Sequence, residues 1–583
     1  MIHVVWSETE CGRDRQEGRN CYREVLFGEL DYLGLTYTKW SPDAWARKQP
    51  PGLTIVIAAI DDSGWNAICE SYCTQGNSIL AVGDSSGLQE LLGVSSLGTV
   101  KEGWVEWGAA PLADGLRSSF HFFEAVRLKV QRDDVQTWGR LLERNGKRMD
   151  YPALATRRVG GGYAAWLALD MMKTSQLIRQ GIPVVRDGPP APDGSGAIDE
   201  GILKTDDSTV LDWEKDREAL EPGGVPFYLH PIVDEWRELF MRVVHMLLRN
   251  MDLPFSQVWF WPEGMPAVGH ISHDTDRNIP RQAAATLDSL QRAGVRSTWC
   301  IIMPGYDAAI NERIVADGHE VALHYNALGT EIPQSGWSER DFRTQLAMLQ
   351  EQFPGEEIVT NKNHYLRWEG DVQFLHWCAR AGIVLEQSKG GTKQGNKGFL
   401  HGTCHPYTSI DGAGADNRVL RTISLPTLSW DPPAPLRCTA EEAYALTDRC
   451  LDVNGVVHFL FHPYMVAEEN GKVSNMLAEL VRYGRDRGME WWTGKELLSW
   501  YVARQSIQVT SEKLEGKRVR LNIVSSDAVR GLTVLVALQT YTNAEADHGA
   551  SVRRIRPVKR FGCSYVELLL DVQAGETAVT VTA

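Results

Sequence analysis

The stretch AVGHISHDTDRN, residues 267–278, places one histidine and two aspartates within four positions, directly after a short apolar run. The period of two along a strand puts Ser272, Asp274 and Asp276 on one face. Buried carboxylates cost free energy unless they are paired or metal-bound, and two neighbouring ones raise each other's proton affinity unless a cation lies between them. The stretch therefore predicts a buried strand that ends at a divalent-metal site, with one carboxylate as ligand and the other as base.

The composition of the whole chain is that of an ordinary globular protein. Its 583 residues, 43% of them hydrophobic, are enough for about three to five domains with their own cores. The formal net charge is −15. Because nucleic acids and anionic membranes are bound by basic surfaces, we expect neither as the main partner.

The chain shows no sign of export or membrane insertion. Its first residues, MIHVVWSETECGRD, lack the basic region and long apolar stretch of a secretory signal. The longest apolar run, LTIVIAAI at 53–60, is far shorter than the about 20 residues that a membrane helix needs. The ten cysteines are scattered without a CxxC pair, and Cys69 and Cys73 are expected to be half-buried thiols. We therefore expect a reduced, cytoplasmic protein without a membrane span.

An open, flavodoxin-like α/β domain is predicted for residues 1–185. LTIVIAAI and SILAVG are typical of buried parallel strands, with helical stretches between and after them. Within this region GDSSG, residues 83–87, fits G-x-S-x-G with Ser85 at the position of a nucleophile. A triad would need a histidine from the same domain, where only His3 and His121 occur in the sequence. We therefore expect Ser85 to be non-catalytic.

Three further regions follow from changes in the sequence pattern. Residues 186–264 are predicted to be a linker arm, rich in Pro, Gly and Asp, followed by a long amphipathic helix at 230–250. Residues 265–504 alternate strands and helices with short Gly-containing turns, as in βα units around a parallel sheet or barrel. Residues 505–583 consist of short strands split by turn residues, which predicts a small antiparallel β-sandwich.

The histidines concentrate where the chemistry is expected. Twelve of the fifteen lie between positions 230 and 462, and several follow predicted strands. Polar residues at the carboxyl ends of barrel strands indicate function, because that end is the catalytic face. His324, at the end of HEVALHY, and His462, in HFLFHPY, are imidazole candidates for such a site. Three others are expected to be structural, namely His230, His245 and His376.

These residues, in this order, resemble the polysaccharide deacetylase family, the NodB-homology class of carbohydrate esterases. The resemblance rests on the Asp-x-Asp strand end, on DGHEVALH at 317–324, on TNKNHYLRW at 360–368 and on the late HFLFHPY strand. It covers residues 265–500. It implies an irregular (β/α) barrel that hydrolyses N-acetyl, sometimes formyl, amides on sugars.

Carried over residue by residue, the resemblance implies roles for five positions. Asp274 matches the family's catalytic base, and Asp276 matches its metal-ligating carboxylate. His324 matches the first metal histidine, and His462 matches the general acid on a late strand. Lys362 stands where the family has an arginine that orients the base, and it offers a point charge instead of a planar fork.

One position departs from the family pattern. The second metal histidine usually follows the first by four residues, but that position is Leu328 here. Three nearby residues are candidates for completing the metal shell, namely Asn326, His364 and His405. Two interpretations stay open, a variant with relocated ligands and a site that lacks metal. Relocated ligands are favoured, because the four matched site residues have little structural reason to occur together.

Substrate contacts are expected from residues near these motifs. Flat aromatic faces suit sugar rings, and Trp368 in HYLRW and Trp430 in LSWD are the tryptophans expected in the cleft. The expected substrate contacts are His273, Tyr365, Arg367, Trp368, Tyr407 and Trp430.

The resemblance implies one divalent cation, with zinc favoured over cobalt or nickel. The predicted function is metal-dependent removal of an N-acetyl or other N-acyl group from a sugar or small glycan. Two alternatives remain. One is a catalytically inactive deacetylase-like protein that binds a carbohydrate or protein partner, and the other is a hydrolase of a non-sugar C–N amide bond.

The flanking regions carry weaker resemblances. The N-terminal region resembles the class I glutamine amidotransferase-like fold, in which the nucleophile is a cysteine. Ser85 takes that place here, which implies a non-catalytic domain used for binding or for homodimer contacts. The C-terminal sandwich resembles accessory β-domains of carbohydrate-active enzymes, which implies a packing or carbohydrate-binding role.

Overall fold

A computed structural model describes residues 1–60, 63–85, 87–188, 201–251, 253–332, 335–392, 394–434, 437–468, 470–516, 518–538 and 540–582. The predicted α/β class is confirmed, since helices alternate with strands of two large sheets. The Pro- and Gly-rich stretch 189–200 of the predicted linker arm lies outside the described residues.

The N-terminal part contains a nine-stranded mixed sheet. The described residues of this part form eleven strands, nine in that sheet and two in a separate pair. They are β1 (Ile2–Val5), β2 (Tyr37–Trp40), β3 (Leu53–Val56), β4 (Ser78–Val82), β5 (Val94–Val100), β6 (Gly103–Glu106), β7 (Ser119–Phe122), β8 (Ala125–Val130), β9 (Val135–Leu142), β10 (Arg148–Val159) and β11 (Gly162–Leu167). Its helices are α1 (Glu8–Gln16), α2 (Val25–Tyr32), α3 (Pro42–Lys48), α4 (Ser63–Thr74), α5 (Gln89–Leu92) and α6 (Met171–Gln180).

The strand order of this sheet is β2-β1-β3-β4-β11-β10-β9-β6-β7. The first five strands in that order are parallel, whereas β10, β9, β6 and β7 continue the sheet in antiparallel pairs. β5 pairs separately with β8. The flavodoxin-like interpretation therefore describes only the first half of the sheet. Residues 94–167 form hairpins instead, because antiparallel strands can be joined by tight turns and need no crossover helix.

The arm after α6 is anchored on this sheet by a buried ion pair. His121 Nδ1 donates to Asp216 Oδ2 at 2.7 Å, and Trp104 Nε1 donates to Asp216 Oδ1 at 2.9 Å. The side chains of His121 and Asp216 are completely buried. This part of the predicted linker arm is therefore packed against the sheet.

The same ion pair predicts a loss of stability at alkaline pH. Burial lowers the pKa of His121, but the charge of Asp216 and its hydrogen bond outweigh burial and raise the pKa to about 9. A histidine whose pKa is raised by folding stabilises the protein fully below its unfolded pKa, and this contribution is lost as pH rises through the folded pKa. We expect this ion pair to contribute about 3 kcal/mol to the free energy of unfolding that is lost between pH 6.5 and pH 9, measured by urea unfolding. His121→Gln should therefore lose about 3 kcal/mol less than the wild type over this window, since other histidines with a raised pKa, such as His462, contribute equally to both proteins. Equal losses in both proteins would contradict the prediction.

Helix α7 (Ile232–Arg249) lies in a hydrophobic core that also contains residues of the N-terminal sheet and of the part that follows. It contacts α6, β4 and β7, and Trp236 Nε1 donates to His121 O at 3.0 Å. Its buried Arg237 is paired twice, with Nε donating to Glu29 of α2 at 3.2 Å and Nη1 donating to Asp234 of the same helix at 2.8 Å. The predicted helix at 230–250 is thus present, but it is buried nearly all round. The short strand β12 (Ser256–Val258) follows it.

The next part contains a ten-stranded sheet. Its strands are β13 (Val268–Asp274), β14 (Thr298–Ile301), β15 (Glu320–Tyr325), β16 (Thr360–Asn363), β17 (Leu385–Glu386), β18 (Tyr407–Ile410), β19 (Val419–Ser424), β20 (Ser429–Trp430), β21 (Val456–Leu460) and β22 (Glu490–Trp491). Its helices are α8 (Pro280–Ala293), α9 (Ala308–Ala316), α10 (Glu339–Gln352), α11 (Gln373–Ala381), α12 (Ala440–Asp452), α13 (Pro463–Val466), α14 (Lys472–Arg485) and α15 (Gly494–Gln505).

This sheet curls like part of a barrel. The strand order is β18-β19-β17-β16-β15-β14-β13-β21-β20, with β22 beside β13, and all pairs except β18–β19 are parallel. Among the described residues the two end strands of this order, β18 and β20, do not pair with each other, so the predicted barrel is open. Because the strands are parallel, their carboxyl ends share one edge of the sheet.

Two four-stranded antiparallel sheets form the C-terminal part. Their strands are β23 (Gln508–Leu514), β24 (Arg518–Ser525), β25 (Val529–Val536), β26 (Asn543–His548), β27 (Ala550–Arg560), β28 (Cys563–Val572) and β29 (Gly575–Thr582). One sheet has the order β23-β24-β29-β26, and the other has the order β12-β25-β28-β27. The second sheet thus includes Ser256–Val258, which the sequence analysis assigned to the linker arm. That assignment is corrected because a three-residue edge strand has no recognisable pattern of its own.

Two expectations about the chain's environment have different outcomes. Cys11 and Cys21 form a disulfide, so the expectation of ten reduced cysteines is wrong for this pair, whereas Cys69 and Cys73 are free and fully buried. Within the described ranges, no helix is both long enough and apolar enough to cross a bilayer.

Candidate metal centre and cleft

Parallel strands of the curled sheet bring ionisable side chains to one edge. Asp274 is the last residue of β13, and His324 lies one residue before the end of β15. His364 follows β16 directly, and His462 lies two residues beyond β21. The placement follows from topology, since residues that are far apart in sequence meet where parallel strands end.

Three of the predicted or candidate ligands converge. Asp276 Oδ1 lies 3.4 Å from His324 Nε2 and 3.3 Å from His364 Nδ1, and the two ring nitrogens are 3.1 Å apart. These ligand atoms lie within 4.8 Å of one another. Of the three residues proposed to replace the missing histidine at position 328, the structure therefore places His364 beside the matched pair.

Hydrogen bonds on the far side of each ring fix which nitrogen faces the centre. His324 Nδ1 donates to Lys362 O at 2.9 Å, which leaves Nε2 with its lone pair toward Asp276. His364 Nε2 lies 3.1 Å from Glu331 Oε2, which favours a proton on that nitrogen and a lone pair on Nδ1. Glu331 was not among the predicted site residues, since it lies in a loop without a recognisable motif.

The residues fit a divalent cation. When both imidazoles are neutral, they and the carboxylate aim electron pairs at one point, an arrangement that repels itself unless a cation or a proton lies there. Asp274 Oδ1 and Asp276 Oδ1 are both buried and have no hydrogen-bond partner among the described residues. Burial would raise the pKa of Asp276, but the imidazoles of His324, His364 and His462 lower it overall. A donor set of two histidines and one carboxylate suits zinc, cobalt or nickel.

His462 faces the centre from the opposite wall. Its Nε2 lies 3.7 Å from Asp276 Oδ2, while its Nδ1 donates to Asp431 Oδ2 at 2.7 Å. Arg437 also pairs with Asp431, which is completely buried. Burial lowers the pKa of His462, but the charge and hydrogen bond of Asp431 outweigh it and raise the pKa to about 9. Asp431 was not among the predicted site residues, although its position directly after the strand end LSW was a usable signal.

Lys362 is buried beneath Asp274. Its Nζ lies 4.0 Å from Asp274 Oδ1 and donates to Ser272 Oγ at 2.6 Å. Ser272 Oγ is 2.9 Å from His458 Nε2, and His458 Nδ1 donates to Pro426 O at 3.0 Å. This chain of hydrogen bonds holds the ammonium group beside the carboxylate, which partly offsets the loss of arginine's planar fork.

The centre opens into a cleft of about 920 Å³. Asp274, Asp276, His364 and His462 all line it. Its wall also includes Lys204, Arg277, Tyr365, Trp430, Arg437 and Tyr464. Tyr365 and Trp430 were expected to contact substrate, and both reach the cleft, with 44% of Tyr365 exposed.

Four other expected substrate contacts do not line this cleft. His273 points to the opposite face of β13 and donates to Phe461 O at 2.7 Å, because alternate residues of a strand face opposite sides. Trp368 is buried, with Nε1 donating to Asp371 O at 2.9 Å. The remaining two are held by backbone carbonyls, Tyr407 by Arg179 O at 2.6 Å and Arg367 by Ala327 O at 2.7 Å.

Two ligand candidates are also corrected. Asn326 Nδ2 donates to Glu331 Oε2 at 2.9 Å, so this residue supports the partner of His364 instead of facing the centre. His405 lies elsewhere in the core, with Nε2 donating to Val453 O at 2.9 Å and Nδ1 at 2.7 Å from Tyr32 Oη. Both ring nitrogens of His405 are thus engaged.

Ser85 is buried in the N-terminal sheet and is not poised as a nucleophile. Its hydroxyl lies 2.8 Å from Val82 O and 2.9 Å from Val56 O. His3 contacts Thr38 instead, at 2.6 Å. That this serine is non-catalytic stays a prediction.

Comparisons with known proteins give only weak similarities. No family model matches the chain, and no curated protein sequence matches it. A β-galactosidase from Bacillus circulans sp. alkalophilus has 12% identity over 29% of this chain and 28% of its own, with a TM-score of 0.23. The match thus spans little more than a quarter of that enzyme.

Two other solved structures are matched over nearly their whole length. A candidate polysaccharide deacetylase from Mycobacterium smegmatis has 17% identity over 42% of this chain and 94% of its own, with a TM-score of 0.31. A family 4 acetyl xylan esterase from Clostridium thermocellum, in complex with a cobalt ion, has 18% identity over 40% and 90%, with a TM-score of 0.26. TM-scores of this size do not assign the chain to a family, and its function is inferred from the cleft itself.

Proposed function

We propose that this chain is a divalent-metal-dependent hydrolase that removes an N-acetyl or other N-acyl group from a sugar or small glycan. One observation carries the proposal. A set of three ligands, Asp276, His324 and His364, has a second carboxylate on one side and a carboxylate-held histidine on the other. Asp274 Oδ2 lies 3.8 Å from His324 Nε2, and His462 Nε2 lies 3.7 Å from Asp276 Oδ2.

The ligand residues would hold the cation, for which we favour zinc. When bound, it would lower the pKa of a water molecule and polarise the acyl carbonyl. Asp274 then takes a proton from the attacking water through its unpartnered oxygen Oδ1. Lys362 keeps that carboxylate oriented from below, at 4.0 Å.

His462 supplies the second proton transfer. Amide cleavage needs a proton on the departing nitrogen, since a neutral amine leaves far more readily than its anion. His462 Nε2 faces the cleft and donates that proton, while Asp431 holds Nδ1 at 2.7 Å and stabilises the charged ring. The products are acetate and the free amino sugar.

The aromatic wall of the cleft favours a sugar as substrate. Tyr365 and Trp430 line the cleft beside the centre, and flat faces of this kind stack against sugar rings. This observation favours an N-acyl sugar over a non-sugar amide, which remains the second candidate substrate class.

Metal removal tests the proposal. Acetate release from N-acetylglucosamine oligomers should be abolished by a chelator and restored by zinc, cobalt or nickel. Metal binding without acetate release from any N-acetyl sugar would favour an inactive binding protein. Release from non-sugar N-acetyl amines alone would favour the second substrate class, and activity that survives full metal removal would overturn the proposal.

A further inference from the structure

A second group of side chains lies beside His462 in the wall of the cleft. The ring of Tyr464 is 5.2 Å from the ring of His462. The guanidinium carbon of Arg277 lies 5.0 Å from the centre of the Tyr464 ring. Arg437 Nη2 donates to Tyr464 Oη at 3.4 Å. One tyrosine thus stands between two guanidinium groups, next to the group proposed to protonate the leaving amine.

The backbone fixes the position of Arg277. The residues on either side of it, Asp276 and Asn278, have positive φ values of 30° and 47°. Asn278 Nδ2 donates to Ile302 O at 2.7 Å, and Thr275 Oγ1 donates to Asn278 Oδ1 at 2.8 Å. The tight turn therefore presents Arg277 from a braced loop at the cleft rim.

The charge of Arg277 is not neutralised within the described part of the chain. No Asp or Glu oxygen of the described residues lies within ion-pair distance of its guanidinium, whereas Arg437 pairs with Asp431. The side chain of Arg277 is exposed. An exposed, unpaired guanidinium at the rim of a cleft is available to a ligand.

The charges of the cleft would not repel an anion. Three carboxylates line it together with three lysine or arginine side chains and two histidines, so the lining carries no excess of negative charge although the whole chain carries −15. The charge of the cleft lining thus differs from the net negative charge that the composition predicts for the rest of the protein surface. A divalent cation in the centre would make the cleft attractive to negative groups.

We propose that Arg277, with Tyr464 and Arg437, binds an oxyanion substituent of the substrate. The substrate class would then be an N-acylated sugar that also carries a phosphate or carboxylate group. This inference rests on the proposed function, because His462 must lie beside the nitrogen-bearing carbon of the sugar. A substituent near that carbon reaches toward Arg277, whose planar fork of donors matches an oxyanion.

Binding in the Asp274→Asn background, which prevents turnover, tests the inference. Calorimetry would compare zinc-loaded protein with N-acetylglucosamine, its 1-phosphate, its 6-phosphate and N-acetylmuramic acid. The 1-phosphate or N-acetylmuramic acid, whose anionic groups lie on the carbons next to the nitrogen-bearing one, should bind about tenfold more tightly than N-acetylglucosamine. The 6-phosphate, whose anion is remote from that carbon, should show no such gain. Arg277→Gln should remove that gain and leave binding of the neutral sugar unchanged. Arg281→Gln, an exposed arginine on α8 outside the cleft, is the matched control and should keep the gain.

The outcomes separate this inference from the proposed function. Equal affinity for neutral and anionic sugars, or a gain that survives Arg277→Gln, would overturn the oxyanion site. If acetate is still released from neutral N-acetyl sugars in that case, the proposed hydrolase function is retained and only the oxyanion site is rejected. Anionic sugar binding that depends on Arg277 but gives no acetate release in the wild type would support the oxyanion site and overturn the hydrolase. A gain for the 1-phosphate alone, or for N-acetylmuramic acid alone, identifies the anion, and a gain for the 6-phosphate alone would contradict the proposed position of the site.

Discussion

Replacing Asp274 by Asn should lower the turnover of N-acyl sugar by ~10²–10⁴-fold while metal content stays at the wild-type level. The amide has nearly the shape of the carboxylate but cannot accept the proton of an attacking water. Asp274 is 4% exposed, and its Oδ1 has no hydrogen-bond partner in the described part of the chain. The substitution therefore removes a base and breaks few contacts.

Metal analysis and acetate release, measured on the same preparations, check this expectation. Asp288→Asn is the matched control, since that carboxylate lies on α8 at the surface and pairs with Arg313 at 2.6 Å. Its turnover should equal that of the wild type. Wild-type-like turnover in Asp274→Asn would rule out Asp274 as the base. Loss of metal in that variant would instead make Asp274 a ligand.

The sequence located the centre because strand ends in a parallel sheet are predictable. Asp274, Asp276, His324 and His462 all follow apolar runs, and the βα rhythm around them implies parallel strands whose carboxyl ends meet. The prediction that these four side chains meet therefore needs only the order of the strands and helices along the chain. The same logic applies to Asp431 after β20, which went unrecognised because that strand has only two residues, Ser429–Trp430.

The choice of the third ligand could not be made from the sequence. Asn326, His364 and His405 all had suitable chemistry, and only the pairing of β15 with β16 separates them. That register sets His324 opposite Lys362 and so brings His364 to the same edge. Which side chains of two strands that are far apart in the sequence meet depends on how the strands and the helix between them pack, and the local pattern of one strand does not show it.

Proximity to a motif was a poor guide to substrate contacts. Trp368 and Tyr407 lie near the expected motifs but point into the core, because the direction of a side chain depends on its element and not on sequence distance. His273 could have been excluded from the sequence, since the period of two that grouped Ser272 with Asp274 puts it on the other face.

His364→Ala should weaken zinc binding by more than about 100-fold, because it removes one of three protein ligands. His364 Nδ1 lies 3.3 Å from Asp276 Oδ1 and 3.1 Å from His324 Nε2, so its removal leaves two of the three converging groups. Only 9% of the side chain is exposed, yet it lines the cleft, so its truncation opens space toward solvent. The affinity is measured by competition with a chromophoric zinc chelator.

A graded series separates a ligand from a merely structural histidine. Glu331→Gln leaves His364 in place but weakens the partner at 3.1 Å that fixes its tautomer, so zinc affinity should fall about 10–100-fold. His376→Ala removes a histidine that pairs with Asp411 outside the cleft and should leave zinc affinity unchanged. Zinc affinity would then decrease in the order wild type, Glu331→Gln, His364→Ala. This order reflects first a weaker orientation of the third ligand and then its complete loss. Wild-type affinity in His364→Ala would mean that the ligand missing at Leu328 has no replacement on β16. A wild type that binds no zinc would mean that these converging side chains no longer form a metal site.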